Sequence, residues 1–325
     1  MIQGIEIENF RLFHKTEING FGLVNLLGGK NNSGKTSLLE AIYVAFKGSV
    51  NDVMAMRQYN YKDDQDSKEA IFYNQDVYNF AKISLAVNGA QFHTIIQSNQ
   101  KTISVSTETD NKDYDAFEKA KNGNDFWLDN EQSFILSKDL QYPKTLNLSE
   151  EYDRIDILGE SETILKSIQL IDDSISEVRT YATRPNILYL RRKNEKIALP
   201  LVYSGDAVQK IMRYFITIVR FNSKANLKCL LIDEIENGLH YTVQKEFWTM
   251  LFKLAIENNV QIFATTHSGE MIEAVAGVAE KPEFVGKGLF FEMFRHFKTN
   301  EIVANKFNVN TLEYYLHNNL SLRGE

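Results

Sequence analysis

The chain has 325 residues, 43% hydrophobic and 24% charged, a composition that fits one large water-soluble domain or two smaller ones. A formal net charge of −7 argues against coating nucleic acid by bulk electrostatics, and no apolar run reaches the roughly 20 residues that a spanning helix requires. The opening Met1-Ile2-Gln3-Gly4 lacks the basic-then-apolar layout of a secretion signal, so a cytoplasmic protein without membrane contact is expected; the lone Cys229, in an apolar strand, reads as a small buried residue with no disulfide partner in the chain.

Alternation of apolar and polar residues over 2–8 predicts a short strand, and the apolar run 23–27 predicts another. That second strand runs into Gly29-Lys30-Asn31-Asn32-Ser33-Gly34-Lys35-Thr36, which spells G-x-x-x-x-G-K-[ST], followed by a helical pattern from Thr36 to about 46. A loop that wraps a polyphosphate must bring backbone N–H groups against it, and glycine permits the close approach and positive φ that this needs. Gly29, Asn31, Asn32, Ser33, Gly34 and Ser37 are therefore candidate phosphate-binding positions. Lys35 would reach the β- and γ-phosphates of ATP, and the Thr36 hydroxyl would bind Mg²⁺.

Residues 51–68 are polar, consistent with a loop or short helix. Strands are predicted at 79–87, 92–96 and 101–105, with Asn88-Gly89 as a hairpin turn. From 107 the pattern decays into charged and amide residues broken by Phe117, Phe126, Trp127 and Tyr142, and a helix follows at 164–171, so an inserted helical subdomain is expected over about 107–170. Strands follow at 175–182, 186–191 and 197–202. Along them Arg179, Arg184, Arg191, Arg192, Lys193 and Lys196 form either a basic patch or a solvated strand face.

Apolar residues recur at helical spacing over 204–219. Strand and helix then alternate: strand 229–232, helix 241–256, strand 260–264, helix 268–278, strands 288–294 and 301–304, and a terminal helix at 310–318. That order implies a mostly parallel sheet with helices on its faces. Leu230-Leu231-Ile232-Asp233-Glu234 is an apolar strand ending in two carboxylates, the Walker B pattern. Asp233 would hold Mg²⁺ through water, and Glu234 would orient and deprotonate the attacking water. Ala264-Thr265-Thr266-His267-Ser268 places a histidine at the end of the next strand, where His267 would contact the γ-phosphate.

Together the 29–42 segment, Ile232-Asp233-Glu234-Ile235-Glu236-Asn237-Gly238-Leu239-His240, Thr265-Thr266-His267-Ser268 and the opening Ile7-Glu8-Asn9-Phe10-Arg11-Leu12-Phe13 resemble the OLD/RecF-like branch of ABC-type ATPases, kin to SMC heads. The resemblance implies an α/β P-loop NTPase of ABC/SMC-head type forming a single domain over 1–325. Its parts would be a mixed N-terminal β-subdomain, a parallel-sheet core with flanking helices, and the helical insertion. It also implies a homodimer or higher oligomer in which ATP is sandwiched between heads, with Ser204 and Gly205 of one head meeting the other's nucleotide. Ala207 stands where related sequences usually carry glycine.

By the same resemblance Arg11 would approach the phosphates, with a surface ion pair as the alternative. Gln75 would sense Mg²⁺ and water, with a plain loop amide as the alternative. His240 is expected to be structural, near the dimer interface. Neither a fused TOPRIM nuclease nor SMC-type coiled-coil arms are expected. The implied function is an ATP-driven switch controlling a separately encoded effector such as a nuclease, as in antiphage defence. The alternatives are a RecF-like repair ATPase that grips DNA and an ATP-binding module without turnover.

Overall fold

The computed structural model describes residues 1–47, 69–98, 103–109, 134–137, 147–220, 227–308 and 312. The predicted loop at 51–68 and terminal helix at 310–318 lie outside this set, apart from Leu312. An N-terminal hairpin pairs β1 (Ile2–Phe10) with β2 (Phe13–Asn19), and β2 is a strand that the 2–8 alternation did not reveal. With β4 (Ala81–Val87), β5 (Ala90–Ser98) and β6 (Ile103–Thr109), it forms an antiparallel sheet in the order β2-β1-β4-β5-β6. Asn88 and Gly89 both take positive φ, as a two-residue hairpin turn of the primed kind requires.

A six-stranded sheet carries the rest, in the order β14-β13-β3-β12-β11-β7. Its strands are β3 (Val24–Gly28), β7 (Phe134–Ser137), β11 (Cys229–Ile232), β12 (Gln261–Thr265), β13 (Gly288–Arg295) and β14 (Ile302–Phe307). All neighbours pair parallel except β13 with β14. Strands β3, β11 and β12 are buried at every residue, as strands covered on both faces must be.

Alternation within those strands feeds two cores. Val24, Leu26, Leu230, Ile232, Ile262 and Ala264 face one core, which also holds Phe247, Trp248 and Phe252 of helix α5 (Gln244–Asn258) and Met271 and Val275 of helix α6 (Gly269–Ala279). Leu27, Cys229, Leu231 and Phe263 face the other, shared with helix α1 (Lys35–Lys47) and the antiparallel sheet.

Helices α2 (Leu148–Ile157) and α3 (Ser161–Gln169) pack with a small sheet of β8 (Ile175–Tyr181), β9 (Arg184–Arg192) and β10 (Leu199–Pro200) against helix α4 (Asp206–Arg220). The expected strand over 197–202 shrinks to two residues because the chain turns at Leu201–Tyr203 into a 3-10 turn. The expected helical content of 107–170 needs correction. α2 and α3 supply helix, but residues 107–109 extend β6, and Phe134–Ser137 pairs with β11 as the edge of the main sheet. Residues 110–133 and 138–146 lie outside the described set.

Side chains join the two sheets, among them Thr16 of β2, whose hydroxyl donates to the Ile302 carbonyl of β14 at 2.6 Å. The buried Gln261 amide accepts from the Ile2 N–H at 2.7 Å and donates to the Ile2 and Gly22 carbonyls, both at 2.8 Å. Gln261→Leu takes this partner from the buried Ile2 N–H and carbonyl, leaves the half-buried Gly22 carbonyl with only the Asn25 amide, and is predicted to lower unfolding free energy by about 2–4 kcal/mol in urea denaturation, against under about 1.5 for a volume-conserving change such as Leu254→Met in α5.

Candidate functional site

Strand β3 delivers the chain at Gly28 into the 29–34 loop. Gly29 has φ 135°, and a Cβ there would lie 2.1 Å from the Met293 carbonyl oxygen of β13. Gly34 has φ 91°, and its Cβ would meet Phe13 and Ile302 within 3.2 Å. Packing against β2, β13 and β14 therefore demands glycine at both positions, independently of any ligand. The loop closes onto the N-terminus of α1, whose unpaired N–H groups and dipole favour an anion.

The Lys35 ammonium folds back over the loop and donates to the carbonyls of Gly29 at 2.8 Å and Lys30 at 2.7 Å. Burial pushes its pKa down to about 8, although Asp233, Glu236 and Glu234 pull the other way. The Thr36 hydroxyl donates to the Asp233 carboxylate at 3.1 Å, and the Thr265 hydroxyl donates to the same carboxylate at 2.6 Å. Thr265 Oγ1 also accepts from the Glu234 N–H at 2.8 Å, so one side chain from β12 holds both the Asp233 carboxylate and the Glu234 backbone.

Glu234 takes φ 50°, an uncommon conformation for a residue with a Cβ, and its carboxylate accepts from Asn237 Nδ2 at 2.8 Å. Lys210, buried on α4, secures that backbone. Its ammonium donates to the carbonyls of Glu234 at 3.0 Å, Ile235 at 3.1 Å and Asn237 at 2.9 Å. The His267 N–H donates to Glu236 Oε1 at 2.6 Å, which fixes the turn after β12.

A cleft of about 640 Å³ gathers most of the sequence-predicted residues: Arg11, Asn31, Asn32, Ser33, Gly34, Lys35, Thr36, Ser37, Glu234 and His267 all line it. Asp233 sits behind Thr36. Arg11 lies on its wall as a buried ion pair, Nε to Glu40 Oε2 at 3.2 Å, while its guanidinium also donates to the Ala70 carbonyl at 2.8 Å. Gln75 sits as a loop amide, the alternative reading, would. It is exposed at the end of the 3-10 turn Tyr73–Gln75 and does not line this cleft, because Asn74 and Gln75 both take positive φ and carry the loop elsewhere. Ser204 and Gly205, at the start of α4, are also outside the cleft of their own chain.

The donor set suits Mg²⁺. Thr36 and Asp233 offer hard oxygens in contact, and Lys35 faces three carboxylates, so the centre carries excess negative charge that a divalent cation would offset. Magnesium commonly takes one or two protein carboxylates and completes its shell with phosphate and water. Of the basic residues along this small sheet, Arg179 and Arg191 pair with Glu177, Arg192 pairs with Asp172 at 3.3 Å, and Lys193 lies 3.9 Å from Asp173, while Arg184 and Lys196 make no ion pair among the described residues. His240 is exposed, with Nδ1 2.9 Å from the Thr242 hydroxyl.

Thr265, Glu236 and Lys210 belong to the site without having been expected there. The one signal available for Lys210 was a lysine amid Val208, Ile211 and Met212 on a face that had to be buried.

The chain matches the model of a family described as "AAA domain, putative AbiEii toxin, Type IV TA system" over residues 24–273. It aligns over its full length with the full length of an "ATP/GTP phosphatase" of Helicobacter pylori, 26% identical over 383 residues. Among solved structures it is similar to an SMC head domain from Thermotoga maritima, with TM-score 0.53 and 15% identity, covering 94% of this chain and 98% of that one. It is also similar to an Smc head with an extended coiled coil bound to the C-terminal domain of ScpA, derived from Pyrococcus furiosus, with TM-score 0.61 and 11% identity over 98% and 99% of the two chains. At such identities the likeness carries the fold, that of an SMC-head P-loop domain.

Lys210→Met removes the ammonium that the Glu234, Ile235 and Asn237 carbonyls accept from, leaving the Glu234 carbonyl with only the Asn237 N–H. The variant is predicted to lose about 2–4 kcal/mol of unfolding free energy, measured by denaturant titration.

Proposed function

The chain belongs to the AAA family matched over 24–273, with the P-loop fold of SMC heads, and on that premise we propose that it is an ATPase whose protomers close around ATP and signal through that closure. The observation that carries this reading is the Thr36–Asp233 contact at 3.1 Å, which joins the phosphate loop to the acidic strand end in one cleft with Lys35, Glu234 and His267. The name of the Helicobacter pylori relative, an ATP/GTP phosphatase, supports triphosphate hydrolysis.

In this reading the N–H groups of 31–37 and the Lys35 ammonium hold the β- and γ-phosphates, and Thr36 and Asp233 hold magnesium. The ion, when bound, neutralises charge on the phosphate oxygens. Glu234 orients a water in line with the γ-phosphate and accepts its proton, and His267 donates to a γ-phosphate oxygen. Arg11, tied to Glu40, places its guanidinium on the cleft wall. Ser204 and the amino end of α4 complete the site of the second protomer, where a helix N-terminus suits an anion.

Closure and release of such a dimer would switch a separately encoded effector, with defence against phage as the setting suggested by the OLD-like motifs. The Pyrococcus furiosus Smc head is bound to a ScpA domain, which supports a protein partner for the head of this chain too. A RecF-like grip on duplex DNA through Arg191 and Arg192 is disfavoured, since Asp172 pairs with Arg192 and Arg191 shares Glu177 with Arg179. A module without turnover is disfavoured by a Glu234 carboxylate held at the cleft.

Glu234→Gln is predicted to lower ATP hydrolysis by about 100-fold or more and to accumulate an ATP-dependent dimer in sedimentation. A wild type that hydrolyses no ATP would overturn the reading. Protonation supplies a second prediction. With the ligand-free Lys35 near pKa 8 and a bound polyphosphate raising it toward its usual value, the complex holds more protons than free protein above about pH 8. ATP affinity should therefore fall as pH rises from about 8 to 10, by up to about tenfold per unit. Calorimetry near pH 9 in buffers of different ionisation enthalpy should register proton uptake that Lys35→Ala abolishes.

A further inference from the structure

A second cavity, about 720 Å³ in volume, lies between β9, β10, the start of α2 and the outer face of α4, away from the nucleotide cleft. Arg184 and Arg213 line it, and no carboxylate does among the described residues. Neither guanidinium makes an ion pair among the described residues. Yet Arg154, Arg179, Arg191, Arg192 and Arg220 of the same layer all pair with acids. Burial disfavours the Arg213 charge, and no nearby acid offsets that cost.

Tyr189 also lines the cavity. It is 4% exposed, and its hydroxyl is buried without a hydrogen-bond partner, as is Arg213 Nε. The Nε of Arg179, Arg191 and Arg220 is left the same way, but Tyr189 carries the one such hydroxyl among the described residues, and a buried hydroxyl without a partner is costly. Leu188 and Leu201 supply apolar wall, and Asn186, whose amide oxygen accepts from Asn147, lines the same space. The volume falls in the range of small-molecule sites.

We propose that this cavity binds a small organic anion, a phosphate or carboxylate head held by Arg184 and Arg213 with an apolar or planar body against Leu188 and Leu201. Guanidinium forks match both head groups, so their source is a nucleoside monophosphate or a simple organic acid. Position gives the ligand a route to the dimer surface. Gln209 lines the cavity and donates to the Ser204 carbonyl at 2.8 Å, and Val202 and Tyr203, immediately before Ser204, form another wall. Occupancy would thus set the pose of the loop that meets the partner's ATP. This coupling rests on the ATP-sandwich reading; the binding itself does not.

The test is calorimetry on the full chain with the phosphate loop saturated by Mg²⁺ and a non-hydrolysable ATP analogue. One arm titrates AMP, GMP, CMP and UMP, the other octanoate and indole-3-acetate. Binding in one arm at one site per chain is expected, weakened about tenfold or more by Arg213→Met and by Arg184→Met. Tyr189→Phe should weaken the same binding while leaving the melting temperature of the ligand-free protein unchanged or higher, which a tyrosine with only a structural role would not do. Absence of binding in both arms, or binding indifferent to Arg213→Met and Tyr189→Phe, overturns the site. Binding that leaves ATP-dependent dimerisation unmoved, in a protein shown to dimerise, overturns the coupling alone.

Discussion

The carboxylate of Asp233 is the point on which the candidate site depends. It is buried at the end of β11 and accepts hydroxyl hydrogens from Thr36 at the head of α1 and Thr265 at the end of β12. A buried carboxylate persists only where donors replace its lost water, and here the donors come from the two segments that must meet for phosphoryl chemistry. Thr265 extends the arrangement by accepting from the Glu234 N–H, so the adjacent acid is held at a φ that free peptide seldom visits. Lys210 then anchors the following carbonyls from α4. Position, and not chemical novelty, is what these contacts supply.

Convergence follows from sheet order. Strands β3, β12 and β11 are adjacent and parallel, so Gly29, His267 and Asp233 emerge at one edge although they are far apart in sequence. Each strand must bury both faces, and the alternation of Leu230 and Ile232 with Cys229 and Leu231 divides two cores across a single layer. The antiparallel lobe contributes at the rim. Its β1–β2 turn bears Arg11, and the buried pair with Glu40 ties that turn to α1.

Much of this was legible because the motifs demand their context. A glycine-rich loop between an apolar run and a helical pattern, and an apolar strand ending in Asp233-Glu234, state both chemistry and geometry in local spelling. The glycines carry a further message that sequence alone conceals: Gly29 is required by the Met293 carbonyl as much as by phosphate. Strand β2 was overlooked because Phe13, Thr16 and Ile18 are buried at irregular spacing with charged neighbours, and Phe134–Ser137 is too short to stand out from its surroundings. Gln75 was assigned by likeness of position, and backbone dihedrals two residues long send it outside the cleft. The strand arginines stay open between a patch and a solvated face in the sequence, which shows their charge and hides Glu177 beside Arg179 and Arg191.

The Gln261 clasp on Ile2 and Gly22 also bears on the order in which the molecule is built. Its donors and acceptors are separated by some 240 to 260 positions along the chain. During synthesis the first hairpin leaves the ribosome long before its fastener exists, and the edge it offers to the main sheet stays open until β12 has been translated. The amino-terminal lobe therefore gains this fastener only once residue 261 has been made, although its own residues come first.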